Sequence, residues 1–189
     1  MKKLLVLAAA LTITLIANAQ VSVQLGGVSN RIKAGNNEVG KLAGAYRGVM
    51  AAVDYNLHLT ERLGIAPGLG INYAFINPAG LRYREIGLFA PVDVNYSFRI
   101  SNNLSLALFA GPTLHYGLLS QETSVYPPYN YYATDSKRFD VSVGGGLWLD
   151  FMETIRVKVG HKFGLTNISK IAGIPEKNQF LTLSVGYIF

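Results

Sequence analysis

The feature that most constrains this chain is a repeated period-two alternation. Successive side chains of a strand point to opposite faces, so alternation marks a strand with one apolar and one wetter face. The closing stretch FLTLSVGYIF is the cleanest case. Leu181, Leu183, Val185, Tyr187 and Phe189 form one set, Thr182, Ser184 and Gly186 the other, and Ile188 is the exception. Eight such segments run through the chain, over about 20–28, 45–59, 63–76, 85–100, 104–119, 137–152, 155–167 and 178–189. Helical spacing is not sustained beyond the first twenty residues.

The connections between the segments alternate in length. Three are tight, Thr60-Glu61-Arg62, Ser101-Asn102-Asn103 and Met152-Glu153-Thr154. Four are longer, around 29–44, 77–84, 120–136 and 168–177. Short turns on one side and long loops on the other are the build of an outer-membrane barrel, with both termini on the periplasmic side. Hairpin partners must also present the same face. Turns centred on Glu153, Asn102 and Glu61 pair Phe151 with Ile155, Ile100 with Leu104, and Leu59 with Leu63. All three keep apolar opposite apolar, and the first puts Asp150 opposite Arg156.

Aromatics on the apolar face are placed at its two ends. Tyr55, Tyr96, Phe98, Phe151, Tyr187 and Phe189 lie toward the short turns, and Tyr73, Phe75, Tyr116, Phe139 and Phe163 toward the long loops. Aliphatic positions such as Val53, Leu69, Leu108, Val157 and Val185 lie between them. Two aromatic girdles around an aliphatic band match the two interfaces of a bilayer. Half the residues are hydrophobic and only 15% are charged, low for a secreted soluble protein.

The first residues, MKKLLVLAAALTITLIANAQ, read as a secretory signal peptide over 1–19. Lys2 and Lys3 supply the positive region, residues 4–16 the apolar stretch, and Ala17-Asn18-Ala19 the cleavage site. Its removal takes the formal charge from +6 to +4 by loss of the two lysines and leaves a single barrel domain over 20–189. No cysteine is present, which excludes lipid attachment through cysteine and disulfides.

The ANAQ junction, the eight segments and the terminal SVGYIF resemble the small outer-membrane β-barrels of Gram-negative bacteria, OmpA/OmpX-like or PorT-like, of the Bacteroidetes type. The resemblance implies an eight-stranded antiparallel up-and-down transmembrane barrel in the outer membrane. It also implies that the assembly machinery reads the terminal aromatic strand. Pro67, Pro91 and Pro112 depart from an ideal wall and predict bulges, since each removes a ladder donor.

The wetter face carries the charges. Asp54, Glu85, Asp93, Asp140 and Asp150 share it with Arg99, Arg156, Lys158 and Lys162. An eight-stranded barrel is only wide enough for its own side chains, so these are expected to pair across a filled polar lumen. His58 and His115 fall on this inner face and His161 on the outer one. Outer-membrane lipid A deacylases place a histidine and a serine two apart on one strand face, whereas GHKFG has Phe163 at that spacing. No Ser/His/Asp set stands out, and no metal or cofactor is expected. In the third long loop Tyr126, Tyr129, Tyr131 and Tyr132 surround Pro127-Pro128 and form a candidate recognition surface. Arg31, Lys33, Lys41, Arg82, Arg84, Lys137, Arg138, Lys170 and Lys177 gather toward the same side, where they can meet lipopolysaccharide phosphates.

The expectation is a monomeric, non-enzymatic barrel whose outer loops or rim contact lipid, lipopolysaccharide or an envelope protein, with no nucleic acid. The alternatives are a lipid-modifying or proteolytic barrel enzyme and a soluble, lipocalin-like binder of apolar ligands. The last should bury the apolar set and expose the charged one.

Overall fold

A computed structural model of the chain describes residues 19–34, 46–76, 81–125, 128–132, 138–168 and 176–189. The regular elements are β1 (Ala19–Ala34), β2 (Tyr46–His58), β3 (Leu63–Ile76), β4 (Leu81–Ser101), β5 (Leu104–Val125), β6 (Pro128–Tyr132), β7 (Phe139–Phe151), β8 (Ile155–Gly164) and β9 (Glu176–Ile188). Eight of them form an antiparallel up-and-down ring: each pairs with its neighbour, β5 with β7 across the short β6, and β1 with β9 closes the sheet. Closure leaves no edge of unpaired backbone in the wall, the condition for a sheet that crosses lipid.

The alternation sorts as expected. The set facing away from the lumen is apolar and exposed along its whole height, for example Leu25 at 67%, Leu69 at 62% and Val185 at 54%. A continuous apolar girth of this size has no place in water. The aromatic residues bracket it, with Tyr96 and Phe98 in contact at one end and Tyr73 and Phe75 at the other. The buried set is mostly polar: Ser22, Gln24, Asp54, Asn56, Asp93, Asn95, Asp140, Asp150, Arg156 and Lys162. This is the reverse of a soluble ligand-binding barrel, so the lipocalin-like alternative fails on its own criterion. Ile188, the exception in the closing strand, turns inward and is buried.

Register and strand lengths hold with four corrections. Phe151 pairs with Ile155 and Asp150 with Arg156, as expected. The turn around Glu61 also closes as expected, with Leu59 N–H donating to the Leu63 carbonyl at 2.8 Å. At the turn around Asn102, however, Ser101 and not Ile100 lies opposite Leu104, and Ile100 is the extra residue of a local register shift. Arg99 still faces Ser105, so the slip is confined to the turn. The prolines do not shift the register: Pro67 pairs with Val92, Pro91 with Thr113 and Pro112 with Val143 within unbroken registers. A missing N–H interrupts the ladder without adding a residue, and the second shift lies between Ile86 and Gly87. Third, β1 runs to Ala34, β4 starts at Leu81 and β5 continues to Val125, all beyond the alternating spans. Fourth, part of the expected third long loop is strand: residues 121–125 of β5 pair on one side with β4 and on the other with β6. The sequence of this stretch, Gln121-Glu122-Thr123-Ser124-Val125, lacks the apolar–polar alternation that marks a wall strand.

Candidate functional site

The lumen is closed near its periplasmic end by two aromatic side chains. Trp148 of β7 and Phe109 of β5 both point inward and stack with centroids 5.3 Å apart; with Ala66 and Ala107 they form the buried apolar cluster. Gly146 makes room for them, since a Cβ there would meet the Val159 carbonyl oxygen at 2.0 Å and Phe109 Cζ at 2.8 Å. Large rings opposite missing side chains fill a narrow barrel. The Arg156 guanidinium lies over the Trp148 ring at 4.3 Å and donates to both oxygens of Asp150, at 2.7 and 2.8 Å. This is the cross-strand pair that the hairpin register fixes.

Above the plug, four charges from three strands meet. Lys158 Nζ donates to Asp54 Oδ2 at 3.0 Å and to Asp93 Oδ2 at 3.4 Å. Lys162 Nζ donates to Asp93 Oδ1 at 2.5 Å and to the Gly111 carbonyl at 3.1 Å. Gln24 Nε2 donates to Asp54 and Ser184 Oγ to Gln24 Oε1, which extends the network onto β1 and β9. Two cations against two carboxylates leave no net buried charge, the arrangement that low-dielectric surroundings demand.

Two of the expected luminal residues behave differently. Arg99 is not part of the network: its parity is inward, but near the periplasmic end of β4 its side chain is 69% exposed and pairs with Glu153 of the next tight turn at 3.1 Å. Asp140 is buried and accepts from neutral groups, the Thr166 hydroxyl and Asn178 Nδ2, the latter at 2.9 Å. Glu85 is half-buried, and His58 lies 3.3 Å from Asn56 Nδ2. His115 faces the lumen, with Nε2 3.0 Å from Ser142 Oγ and its ring stacked 4.3 Å from Phe180. His161 does face outward; its cross-strand partners are Gly145 and Leu181 and its ring meets Phe163 edge-on.

The lumen is also not wholly filled. On the long-loop side of the ion pairs a cavity of about 70 Å³ remains, walled by Val28, Met50, Phe89, Pro91, Phe109 and Phe180 and reached by Thr113, His115, Lys158 and Lys162. On the periplasmic side a polar vestibule of about 670 Å³ is lined by Gln20, His58, Arg62, Arg99, Asp150 and Glu153. The Trp148–Phe109 stack stands between the two spaces. The plug was legible in principle, since Trp148 and Phe109 fall on the inward parity of their strands, as do Gln24 and Thr113.

A second candidate lies on the outer surface. Arg47 of β2 and Arg84 of β4 both pair with Phe75 of β3, so the three stand in one outward row at the upper girdle, all exposed. Arg31 and Lys177 continue the cations onto β1 and β9 and are exposed too, as is Arg138. Tyr126, Pro127, Lys41, Lys137 and Lys170 lie outside the described residues, as do residues 1–18 of the expected signal peptide. Tyr129, Tyr131 and Tyr132 lie on β6, opposite Ser124, Glu122 and Gln121.

A closed eight-stranded ring with a polar, ion-paired lumen and an apolar, aromatic-bounded exterior is an integral β-barrel of the bacterial outer membrane. Residues 14–170 match the family described as Outer membrane protein beta-barrel domain, and the chain belongs to it. Among solved structures it is similar to Ail, the attachment invasion locus protein of Yersinia pestis, in complex with the heparin analogue sucrose octasulfate. That likeness has 16% identity and a TM-score of 0.53, and covers 91% of this chain and 99% of that one. It is also similar to the outer membrane enzyme PagL, at 11% identity and a TM-score of 0.50, over 88% of this chain and 97% of that one. Neisserial surface protein A follows at 13% identity and a TM-score of 0.49, over 89% and 97%. A search of curated protein sequences finds no match.

Proposed function

We propose that the protein is a monomeric, non-enzymatic barrel that holds phosphate-bearing lipid of the lipopolysaccharide kind against its basic rim. In this reading residues 1–19 are removed on export, the aromatic last strand is read by the assembly machinery, and the outer connections with their tyrosines face an envelope partner. The observation that carries the lipid reading is the Arg47–Phe75–Arg84 row. Adjacent strands lie 4.7–4.9 Å apart, so these guanidiniums start about 10 Å from each other at the level where lipid headgroups sit. Guanidinium is the group best suited to bidentate contact with phosphate.

A hydrolytic reading has one observation in its favour, the His115–Ser142 contact at 3.0 Å. Ser142 has no exposed surface, and its hydroxyl is directed toward the Thr113 carbonyl at 3.5 Å, so no substrate carbon reaches it. His161 is accessible but has glycine, leucine and phenylalanine around it. The test is to fold the wild type and an Arg47→Gln/Arg84→Gln variant into vesicles with and without phosphorylated lipid A. Stabilisation of the wild type by the phosphorylated lipid, reduced in the variant, supports the reading. Equal stabilisation of both overturns it.

A further inference from the structure

His161 is out of place in the lipid-facing wall. It lies on β8 between Val159 and Phe163, exposed, with Gly145 and Leu181 opposite it and Ala110 beyond Gly145. Phe163 meets its ring edge-on, and neither ring nitrogen has a hydrogen-bond partner among the described residues. Gln179, the polar residue of the next row up, stands opposite Phe163. Hydrocarbon gives an imidazole nothing in exchange for the water it loses, so an ionisable group on a lipid face marks a contact.

Depth limits what that contact can be. His161, Leu181, Ser29 and Arg47 form one cross-strand row over β8, β9, β1 and β2. The row climbs, since His161 is six residues from Ile155 at its tight turn and Arg47 is twelve from Leu59 at its own. Three steps of about 4.8 Å across strands tilted by about 40° put His161 roughly 9 Å below Arg47. Phe163 of the upper girdle stands between it and the surface, so the imidazole lies among the chains of the outer leaflet and not among the head groups. An ordinary phospholipid has its phosphate and ester carbonyls above that depth and only methylenes at it. A chain that carries a hydroxyl or acyloxy oxygen a few carbons in has an oxygen there.

The geometry points to His161 as the contact for an oxygen borne on the acyl chain of an outer-leaflet lipid. A neutral imidazole gives its N–H to an acyloxy carbonyl, or exchanges a hydrogen bond with a chain hydroxyl through either nitrogen. Gly145 and Ala110 put nothing larger than a methyl on one side of the ring, where the chain can lie. The inference rests on the reading of the rim as a phosphate-lipid surface and narrows it: the cations hold the head group, and His161 selects the chains.

The experiment folds the barrel into phosphatidylcholine vesicles doped with one of two synthetic glucosamine phosphate lipids. One has a hydroxyl on the third carbon of each chain, and the other has plain chains of the same length. Urea midpoints over a series of lipid fractions give the apparent affinity for each. The wild type is expected to bind the hydroxylated lipid at least about threefold tighter, the worth of one modest hydrogen bond. His161→Phe, an apolar change on a lipid-facing wall, should fold, bind both lipids alike and keep its response to the phosphate. Arg47→Gln/Arg84→Gln should weaken both lipids and keep their ratio, so failure of the rim reading and failure of this one give different patterns. The imidazole nitrogen signal of His161, assigned by its loss in His161→Phe, should shift with the hydroxylated lipid alone. Equal affinity of the wild type for the two lipids overturns the inference, as does a preference that persists in His161→Phe.

Discussion

The buried pair beneath the plug gives the sharpest test of how the lumen is held. Asp150 and Arg156 side chains are 11% and 2% exposed, joined by two short hydrogen bonds. Replacing Asp150 with asparagine leaves a guanidinium without its counter-charge in a dry site, a loss of about 3–5 kcal/mol. Arg156→Met leaves the carboxylate, but that group borders the periplasmic vestibule, where water reaches it. The cost there belongs at the lower end of the same range, near 3 kcal/mol, plus about 1 kcal/mol for the lost cation–π contact with Trp148. The double variant has neither stranded charge, so it is expected to be less destabilised than the sum of the two, with a coupling of at least about 2 kcal/mol. The assay is urea unfolding from vesicles, followed by Trp148 fluorescence and by gel mobility. Because the pair is buried, the coupling should survive high salt. A coupling below about 0.5 kcal/mol, or one that salt removes, refutes the burial of the pair and the energetic weight given to it.

Further expectations follow from the wall and its turns. Val185→Arg, at mid-height on the lipid face, should cost roughly 2–4 kcal/mol in bilayers, and Tyr187→Arg less, being nearer the interface; vesicle folding titrations compare them. Met152 and Glu153 both have positive φ, 53° and 55°, in a turn without glycine. Glu153→Gly should therefore stabilise the barrel by about 1 kcal/mol, despite the loss of its exposed contact with Arg99, as measured by the urea midpoint. Gly146→Ala forces a methyl onto the Val159 carbonyl and the Phe109 ring, and should destabilise by about 1–3 kcal/mol with a changed Trp148 spectrum.

The sequence by itself determined the wall. A side-chain period of two makes facing a property of parity, and three tight turns lock the parity of one strand to the next, so Asp150 opposite Arg156, the lipid-facing band and both girdles were readable before any coordinates. It also sorted the histidines, since His58, His115 and His161 follow the same rule. Parity says nothing about what a side chain meets across the lumen, because those partners come from strands far apart in the chain. Only the tertiary structure joined Lys158 to Asp54 and Asp93, 104 and 65 residues away, and brought Phe109 onto Trp148. It took Arg99 out of the network by leaving its side chain exposed at the periplasmic vestibule, against Glu153. The expectation of a filled lumen holds at the plug and the ion pairs and falls short above them, for a related reason. Barrel width follows from strand number, but whether the interior closes depends on which large side chains reach the same level, and Phe89, Phe109 and Phe180 leave a space between them. The continuation of β5 into a pairing with β6 was hidden as well, since Gln121-Glu122-Thr123-Ser124-Val125 carries no alternation and is recognised only by its pairing.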